Sequence, residues 1–305
     1  MIITSINSNA QNQKPSFGQI KPEHLFIRMH GYAKDFDWVD EMIDTINISK
    51  RKIINGKVDF RGILNFIAER YKFCFQSIKG KERFGIFRDS SIITPIMHRR
   101  YTSYRDRVAE IIKEHGKKNE SLEWSSCSFS FRKITSSQPK TKNIPVKADS
   151  YRQYVYVDGE RVPATTSYRI FDVDNKFEII NNSQGKKEAF IWFHTPPEFI
   201  PKLLKKANNL YLDIVECKSS NVAKVTKKIG KLHWVLVQTC PFLRGSAGIA
   251  DVLTKTLFES KNIQVSRWKK GIAPDLEVLT RPMNEYAKGY IHLFETPPKY
   301  LYEKQ

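Results

Sequence analysis

The sequence predicts an α+β protein that is mainly helical, a helical bundle interrupted by a small antiparallel sheet. Three observations carry this. Apolar residues recur at helical spacing through roughly the first hundred residues and again from Pro196 onward. Between Leu122 and Ile180 the apolar period changes to two. In the middle of that stretch stands Asp158-Gly159, a strong signal for a two-residue hairpin turn.

Taken in order, Trp38, Met42, Ile43 and Ile46 predict a short helix that stops near Asn47. Phe60, Ile63, Leu64, Ile67, Tyr71, Phe75 and Ile78 predict a longer one, with Asp59 as its N-cap and Gly80 closing it. A third helix is expected from about His98 to His115, ended by Gly116. The alternating stretch sets Trp124, Ser126, Ser128 and Ser130 against Cys127, Phe129 and Phe131. Tyr154–Val157 then leads into the Asp158-Gly159 turn, and Thr165–Val173 and Lys176–Ile180 continue as strands. The Pro/Lys/Ser-rich stretch Ser136–Ser150 reads as a mobile loop within this β insert. Helices return over Glu198–Leu212, Asn221–Thr239, Ser246–Ser260 and, last, Asp275–His292. The organisation expected is a disordered leader over 1–22 and one domain over 23–305. Its helical lobe comprises 23–120 and 190–305, and its β-rich insert 121–189.

Bulk properties narrow the function classes. With 305 residues and 40% apolar content, there is material for one large domain or a domain with an insert. No run of eighteen apolar residues exists, so no transmembrane helix is expected. The start MIITSINSNAQNQKPSFGQ is polar, without a basic beginning or an apolar core, and is not expected to act as a Sec signal peptide. Four cysteines (Cys74, Cys127, Cys217, Cys240) show no paired spacing for zinc or a disulfide framework. A reduced, cytosolic working environment and no metal are therefore expected. The formal charge of +19 attracts nucleic acid, anionic membrane or an acidic partner. The lysines nevertheless lie between apolar positions, as on solvated helix faces, and no zinc-finger, RRM or KH signature is present. The expectation is no dedicated nucleic-acid site, at most weak membrane association, and a monomer.

The most informative segment is Lys231–Ala250, KLHWVLVQTCPFLRGSAGIA. Val222, Val225, Ile229, Leu232 and Leu236 make one apolar stripe on a helix that Pro241 ends by withholding a backbone donor. Gly245 permits a tight turn, and Ser246 is a good N-cap for a following helix through Ala250, Leu253 and Leu257. A helix start carries unpaired N–H groups and partial positive charge, so this turn suits a phosphate, with Arg244 adding an anion clamp. The competing reading is an ordinary helix–turn–helix with a surface arginine.

The run HW-x6-P-x2-RGSA-x2-A (His233, Trp234, Pro241, Arg244, Gly245, Ser246, Ala247, Ala250), followed by Gly-x3-Asp-x-Glu (Gly271, Asp275, Glu277), resembles the avirulence-protein-B family of type III-secreted effectors from plant-associated bacteria. Three more stretches are similar to the same family: the Phe60–Ile78 helix with its preceding Asn-Gly, Ile93-Thr94-Pro95 before a Tyr- and Lys/Arg-rich helix, and the hairpin YRQ-x-VYVDGERVP at Tyr151–Pro163. The likeness runs from roughly Val39 to Leu293 and is weakest between Asp172 and Ser220.

The resemblance implies a bilobal shape related to the Fic/Doc (Fido) fold, whose helix–turn–helix loop cradles nucleotide phosphates. Cys240-Pro-Phe-Leu-Arg-Gly245 looks like the Fic loop His-Pro-Phe-x-x-Gly. It departs from it in having Cys240 where that loop has histidine, and no Asn-Gly-Arg after Gly245. A thiol with pKa about 8.5 is a poorer general base near neutrality than a histidine, which counts against AMP transfer.

The same resemblance implies a cleft lined by Thr94, Arg244 and Asp275, with His233 in the helix motif. Arg244, Gly245 and Ser246 would hold phosphate; alternatively Arg244 pairs with Asp251 or Asp275. Asp275 would act as base or orient a sugar hydroxyl, or else it caps the final helix after Pro274. Thr94 before Pro95 also reads as an N-cap. His233 is either a catalyst or a satisfied core histidine. Tyr101, Tyr104 and Arg105 would line the cleft, or simply pack their helix.

The implied activity is transfer of rhamnose from a nucleotide-diphosphate sugar (UDP- or dTDP-rhamnose) to a threonine of a host immune-regulatory protein, with no further cofactor. The alternative is a catalytically silent nucleotide-binding or host-protein-docking module. The implied location is the host cell cytoplasm after type III secretion. A Met1-Ile2 start offers no glycine for N-myristoylation.

Overall fold

In the computed structural model, residues 36–73, 81–89, 93–95, 122–135, 138–171, 180–181, 187–218, 220–269, 272 and 274–301 are described. The chain is α+β and mainly helical, with an antiparallel sheet between its helical segments. The expected helix His98–His115, with Tyr101, Tyr104 and Arg105, lies outside the described residues, as do Phe75, Ile78 and Gly80.

Helix α1 (Phe36–Ile54) does not stop near Asn47. Ser49 and Ile53 continue the buried face of Val39, Met42 and Ile46, so packing carries the helix two turns further. Helix α2 (Phe60–Phe73) starts as predicted: Asp59 Oδ1 accepts from the Gly62 N–H at 2.7 Å.

The sheet contains β1 (Ile93–Pro95), β2 (Leu122–Thr135), β3 (Gln138–Val157), β4 (Glu160–Phe171), β5 (Ile180–Asn181) and β6 (Lys187–Phe193). Its order is β1-β6-β4-β3-β2, with β5 on β6, antiparallel throughout. The Asp158-Gly159 turn joins β3 to β4 with φ of 51° and 82°, the double positive φ that matches strand twist. Ser136–Ser150 is not a loop from Gln138 onward, because β3 pairs there with β2. Its prolines, Pro139 and Pro145, lie beyond Lys147, where β4 stops flanking β3, so only one side of that ribbon needs donors. The sequence reading missed β6, which leads out of the sheet into the helical lobe.

From Pro196 the chain is helical again: α3 (Ile200–Val215), α4 (Val222–Thr239) and α5 (Ser246–Ser260). Asn221 Oδ1 caps α4 by accepting from the Lys224 N–H at 3.0 Å. The expected single helix Asp275–His292 is instead α6 (Pro274–Thr280), α7 (Met283–Gly289) and a 3₁₀ turn at Tyr290–Leu293. Pro282 divides it, since a proline there cannot supply the helical N–H. A short pair, β7 (Ile263–Gln264) with β8 (Lys299–Tyr300), ties the end of the chain beneath α5.

Helix α5 is central, touching α1, α2 and α4. Ile249, Ala250, Leu253, Leu257 and Phe258 are buried, and so are Thr254, Lys255, Thr256 and Glu259 around the other side. The last two turns of α4, Leu232–Thr239, are likewise buried all round rather than on one stripe. Among the described residues, no helix is long and apolar enough to cross a membrane.

Candidate functional site

The site is built where α4 ends and α5 begins. After Thr239, Cys240 takes a left-handed conformation (φ 44°, ψ 61°), and Pro241 cannot extend the helix. Gly245 then adopts φ 87° and, rather than Ser246, is the N-cap of α5. Ser246 is the first helical residue, and its hydroxyl is spent inside the loop. Its Oγ accepts from the Phe242 N–H at 2.9 Å and donates to the Phe242 carbonyl at 3.2 Å. The expected Ser246 cap is therefore corrected, and its side chain is not available to a ligand. Among the described residues no side chain caps the first turn of α5, and the amide end of that helix is a positive pole.

A strap of residues, Phe84–Arg88, runs along this loop and clamps it by backbone contacts. Phe84 bridges Arg244 and Phe87 bridges Phe242. The Leu243 N–H donates to the Ile86 carbonyl at 2.9 Å, and the Arg88 N–H to the Pro241 carbonyl at 2.8 Å. The Arg244 guanidinium lies over the Phe84 ring, 4.9 Å from its centroid, while the Phe87 and Phe242 rings meet at 4.7 Å. Glycine is required at 245 twice over: positive φ, and a Cβ there would stand 2.8 Å from Phe84 Cδ1. Tyr71 closes one flank, its hydroxyl occupying the space a Cβ of Gly248 would need. Arg244, Gly245, Ala247 and Gly248 remain half-exposed.

Arg88 is the buried member of the strap. Its Nε donates to the Cys240 carbonyl at 2.9 Å and its Nη2 to the Thr239 carbonyl at 2.9 Å and the Thr195 carbonyl at 2.6 Å. Burial lowers its pKa, yet a guanidinium remains charged in proteins. One side chain thus joins the end of α4, the loop, and the segment that leaves β6. Burial pushes the Cys240 thiol up, offset in part by the Ser246 hydroxyl and the Arg88 charge. A thiol held protonated in this way cannot serve as a general base near neutral pH. His194, two residues past Trp192, is brought down to about 4 by burial and by Arg88.

Gln238 is the second junction. The register of β4 gains one residue over β3 between Thr166 and Pro163, and this bulge turns the Thr165 N–H away from the ladder. Gln238 Oε1 accepts from that N–H at 3.0 Å, and Gln238 Nε2 donates to the Val278 carbonyl of α6 at 3.0 Å. The Thr195 hydroxyl donates to the Gln238 carbonyl at 2.8 Å. Nearby, Gln153 Nε2 donates to the Leu279 carbonyl at 2.9 Å. Sheet, α4 and α6 are thereby fixed to one another.

His233 is not part of the loop. It lies two turns earlier on α4, roughly 10 Å along the axis, inside a cage of Tyr286, Tyr290 and Trp268. Its Nδ1 is 2.8 Å from Tyr290 Oη and 3.3 Å from Tyr286 Oη. Burial, then the Lys255 charge, bring it down to about 3, so it stays neutral. Of the two readings open for it, the structure supports the satisfied core histidine. Lys255 is itself buried under Trp268 and paired with Asp251 at 2.5 Å. Trp268 Nε1 also donates to Asp251 at 3.2 Å. Asp251 is accordingly engaged by Lys255 and Trp268, not by Arg244.

Asp275 sits in the first turn of α6, after Pro274, so it is a helix-start residue of a short helix. Its charge helps raise the Tyr286 pKa, behind burial and the neighbouring Tyr290 and Glu277, which sets it beside the cage. Tyr286 Oη reaches the Pro274 carbonyl at 3.4 Å. Thr94 is a strand residue and not a helix N-cap: β1 pairs with β6, and Thr94 stands opposite Trp192. Arg244 and Asp275 therefore lie on elements joined at the end of α4, where Gln238 bonds α6, while Thr94 lies on β1, which is held by its pairing with β6, and His233 belongs to the packing behind the loop. Sequence reasoning missed Arg88, Gln238 and His194. The only signal for His194 was its place in HTPP, and Arg88 and Gln238 left none. Among the described residues no cluster of His, Cys, Asp and Glu has metal-binding geometry.

A family model described as avirulence protein (AvrB/AvrC) matches residues 82–297. A curated relative, "Avirulence protein B" of Pseudomonas savastanoi pv. glycinea, is 22% identical over 158 residues, covering 48% of this chain. The match spans about half the length of that relative, 49%.

Proposed function

This chain belongs to the AvrB/AvrC family of avirulence proteins, and on that premise we propose that it is a type III effector acting inside a host cell as a glycosyltransferase. The loop Cys240–Ser246 takes the diphosphate of an activated deoxyhexose, a UDP- or dTDP-rhamnose, and the sugar passes to a threonine hydroxyl of a host immune-regulatory protein. The observation that carries this reading is the glycine-started amide end of α5 beside Arg244, held by the Phe84–Arg88 strap. That pole, with the guanidinium, stabilises charge growing on the leaving diphosphate. Asp275, on α6 and linked to the loop through Gln238, orients the incoming hydroxyl or takes its proton. The test is incubation with UDP- or dTDP-rhamnose and host extract, followed by intact-mass reading of modified proteins. The expected result is a deoxyhexose mass gain with wild type and none with Arg244→Ala. No gain with wild type, or equal gain with both, removes the catalytic reading.

Two observations favour a second reading, a catalytically silent Fido-like module that holds a nucleotide or docks a host protein. The loop residue that would be its base is a protonated thiol, and Tyr71 and Phe84 crowd one flank of the turn. Calorimetry separates the two: tight binding of a host protein that ignores added nucleotide sugar supports docking.

A further inference from the structure

Two helix ends of opposite sign meet across this loop. The carbonyl end of α4 carries roughly half a negative charge and the amide end of α5 roughly half a positive one. With only Cys240–Gly245 between them, the two poles would largely cancel for any ligand approaching the turn. Arg88 acts on the carbonyl pole. Its guanidinium donates to the carbonyls of Thr239 and Cys240, the last two before Pro241, and is buried against them. The guanidinium also donates to the Thr195 carbonyl, on the segment leaving the sheet, so the charge is tied to a part of the chain outside the helix pair. The loop's own arginine, Arg244, is stacked on Phe84.

We infer that Arg88 is the positioning residue of the anion loop: it neutralises the carbonyl end of α4 and locks Cys240 in its left-handed turn, so that the amide end of α5 presents net positive potential. This rests on the anion-binding reading given above, and it adds a residue 152 positions away from the loop in sequence. It accounts for the strained φ of Cys240, which a non-glycine residue keeps only when its surroundings hold it. It also gives the strap a purpose beyond packing: Phe84 and Phe87 dock it, and Arg88 delivers the charge.

The experiment uses the full chain with Arg88→Gln and Arg88→Lys, checked for fold by circular dichroism. Calorimetry with inorganic pyrophosphate and with UDP measures the anion site. The pH profile of thiol labelling, read peptide by peptide, measures the field at Cys240, with Cys217 as internal control for general loosening. Arg88→Gln is expected to weaken pyrophosphate by about tenfold or more and to move the Cys240 profile to higher pH, leaving Cys217 unchanged. Arg88→Lys, which keeps the charge, is expected to restore most of both. A merely structural role has the opposite signature: a loosened loop exposes the thiol and moves its profile down toward the ordinary value. An Arg88→Gln protein with an unchanged or lowered Cys240 profile overturns the inference. Should that variant not fold, an Arg88→Lys profile well above wild type overturns it equally. If wild type binds neither pyrophosphate nor UDP, the anion-site reading fails by itself, and the thiol profile still decides whether Arg88 sets the field in the loop.

Discussion

The middle of α4 and its C-terminal end make an instructive contrast. At His233 every polar group turns inward: the imidazole meets Tyr290, Lys255 meets Asp251, and three aromatic rings close over them. Two turns later the same helix ends in a strained cysteine, a buried arginine on its last carbonyls, and a half-exposed turn. The motif His-Trp-x6-Pro-x2-Arg-Gly-Ser-Ala spans both regions without distinguishing them. The difference teaches that a polar residue in a recognisable motif marks chemistry only where its hydrogen-bonding capacity is not already consumed. His233 is consumed and so is the Ser246 hydroxyl, whereas among the described residues the first-turn amides of α5 have no side-chain cap.

The largest effect that tests this contrast lies in the cage. Asp251→Ala removes the carboxylate from Lys255, a side chain only 1% exposed, and is expected to cost about 3–5 kcal/mol in urea unfolding. Labelling of Cys240 in the folded protein should not change; a loss under about 1 kcal/mol would mean that Lys255 is not a buried charge.

Acid comes next. The folded pKa values of His233 and His194 are depressed, to about 3 and about 4, so the unfolded chain binds protons first. Their contribution is complete above the ordinary histidine value and is lost as pH falls from about 6.5 toward those values, on the order of 1 kcal/mol per pH unit for each. Thermal melting followed against pH should show this slope, and His233→Gln should flatten it. A slope unaffected by that change would place the titrating groups elsewhere.

Gly245→Ala comes third and strikes the loop instead. A positive φ and contact with Phe84 predict a loss of about 1–3 kcal/mol, accompanied by faster Cys240 labelling. A variant with a wild-type melting point and wild-type labelling would show that the turn is not held as described.

The smallest effect provides the baseline. Lys205→Ala breaks an exposed ion pair with Asp158 at the hairpin tip and is expected to leave both melting temperature and loop labelling unchanged.

Much of the helical framework could be read directly. The limits of α4 and α5, the Asp59 cap and the Asp158-Gly159 turn all depend on residues within a few positions of one another. The reach of α1 to Ile54 and the pairing of Ser136–Ser150 from Gln138 onward as a strand were less legible, because composition there argued one way and packing decided another, while the Pro282 break had a local signal that the helical reading passed over. The site divided in the same manner. Arg244 and Gly245 stood out by local pattern, and the family likeness drew attention to Thr94 and Asp275. Arg88 and Gln238 did not stand out, since a lone arginine before Asp-Ser-Ser and a glutamine in an apolar helix have no periodicity.

By itself the sequence determined where α4 and α5 start and stop, where the chain must turn through positive φ, and that an arginine would stand beside a helix start. Tertiary structure alone decided which polar groups are spent in packing, that β6 enters the sheet beside Thr94, and that one guanidinium would cover the carbonyl end of α4 from 152 residues away. The reason is physical: caps and turns are settled by the backbone within a single turn, whereas the pairing of a buried charge depends on partners that only the folded chain brings within hydrogen-bonding distance.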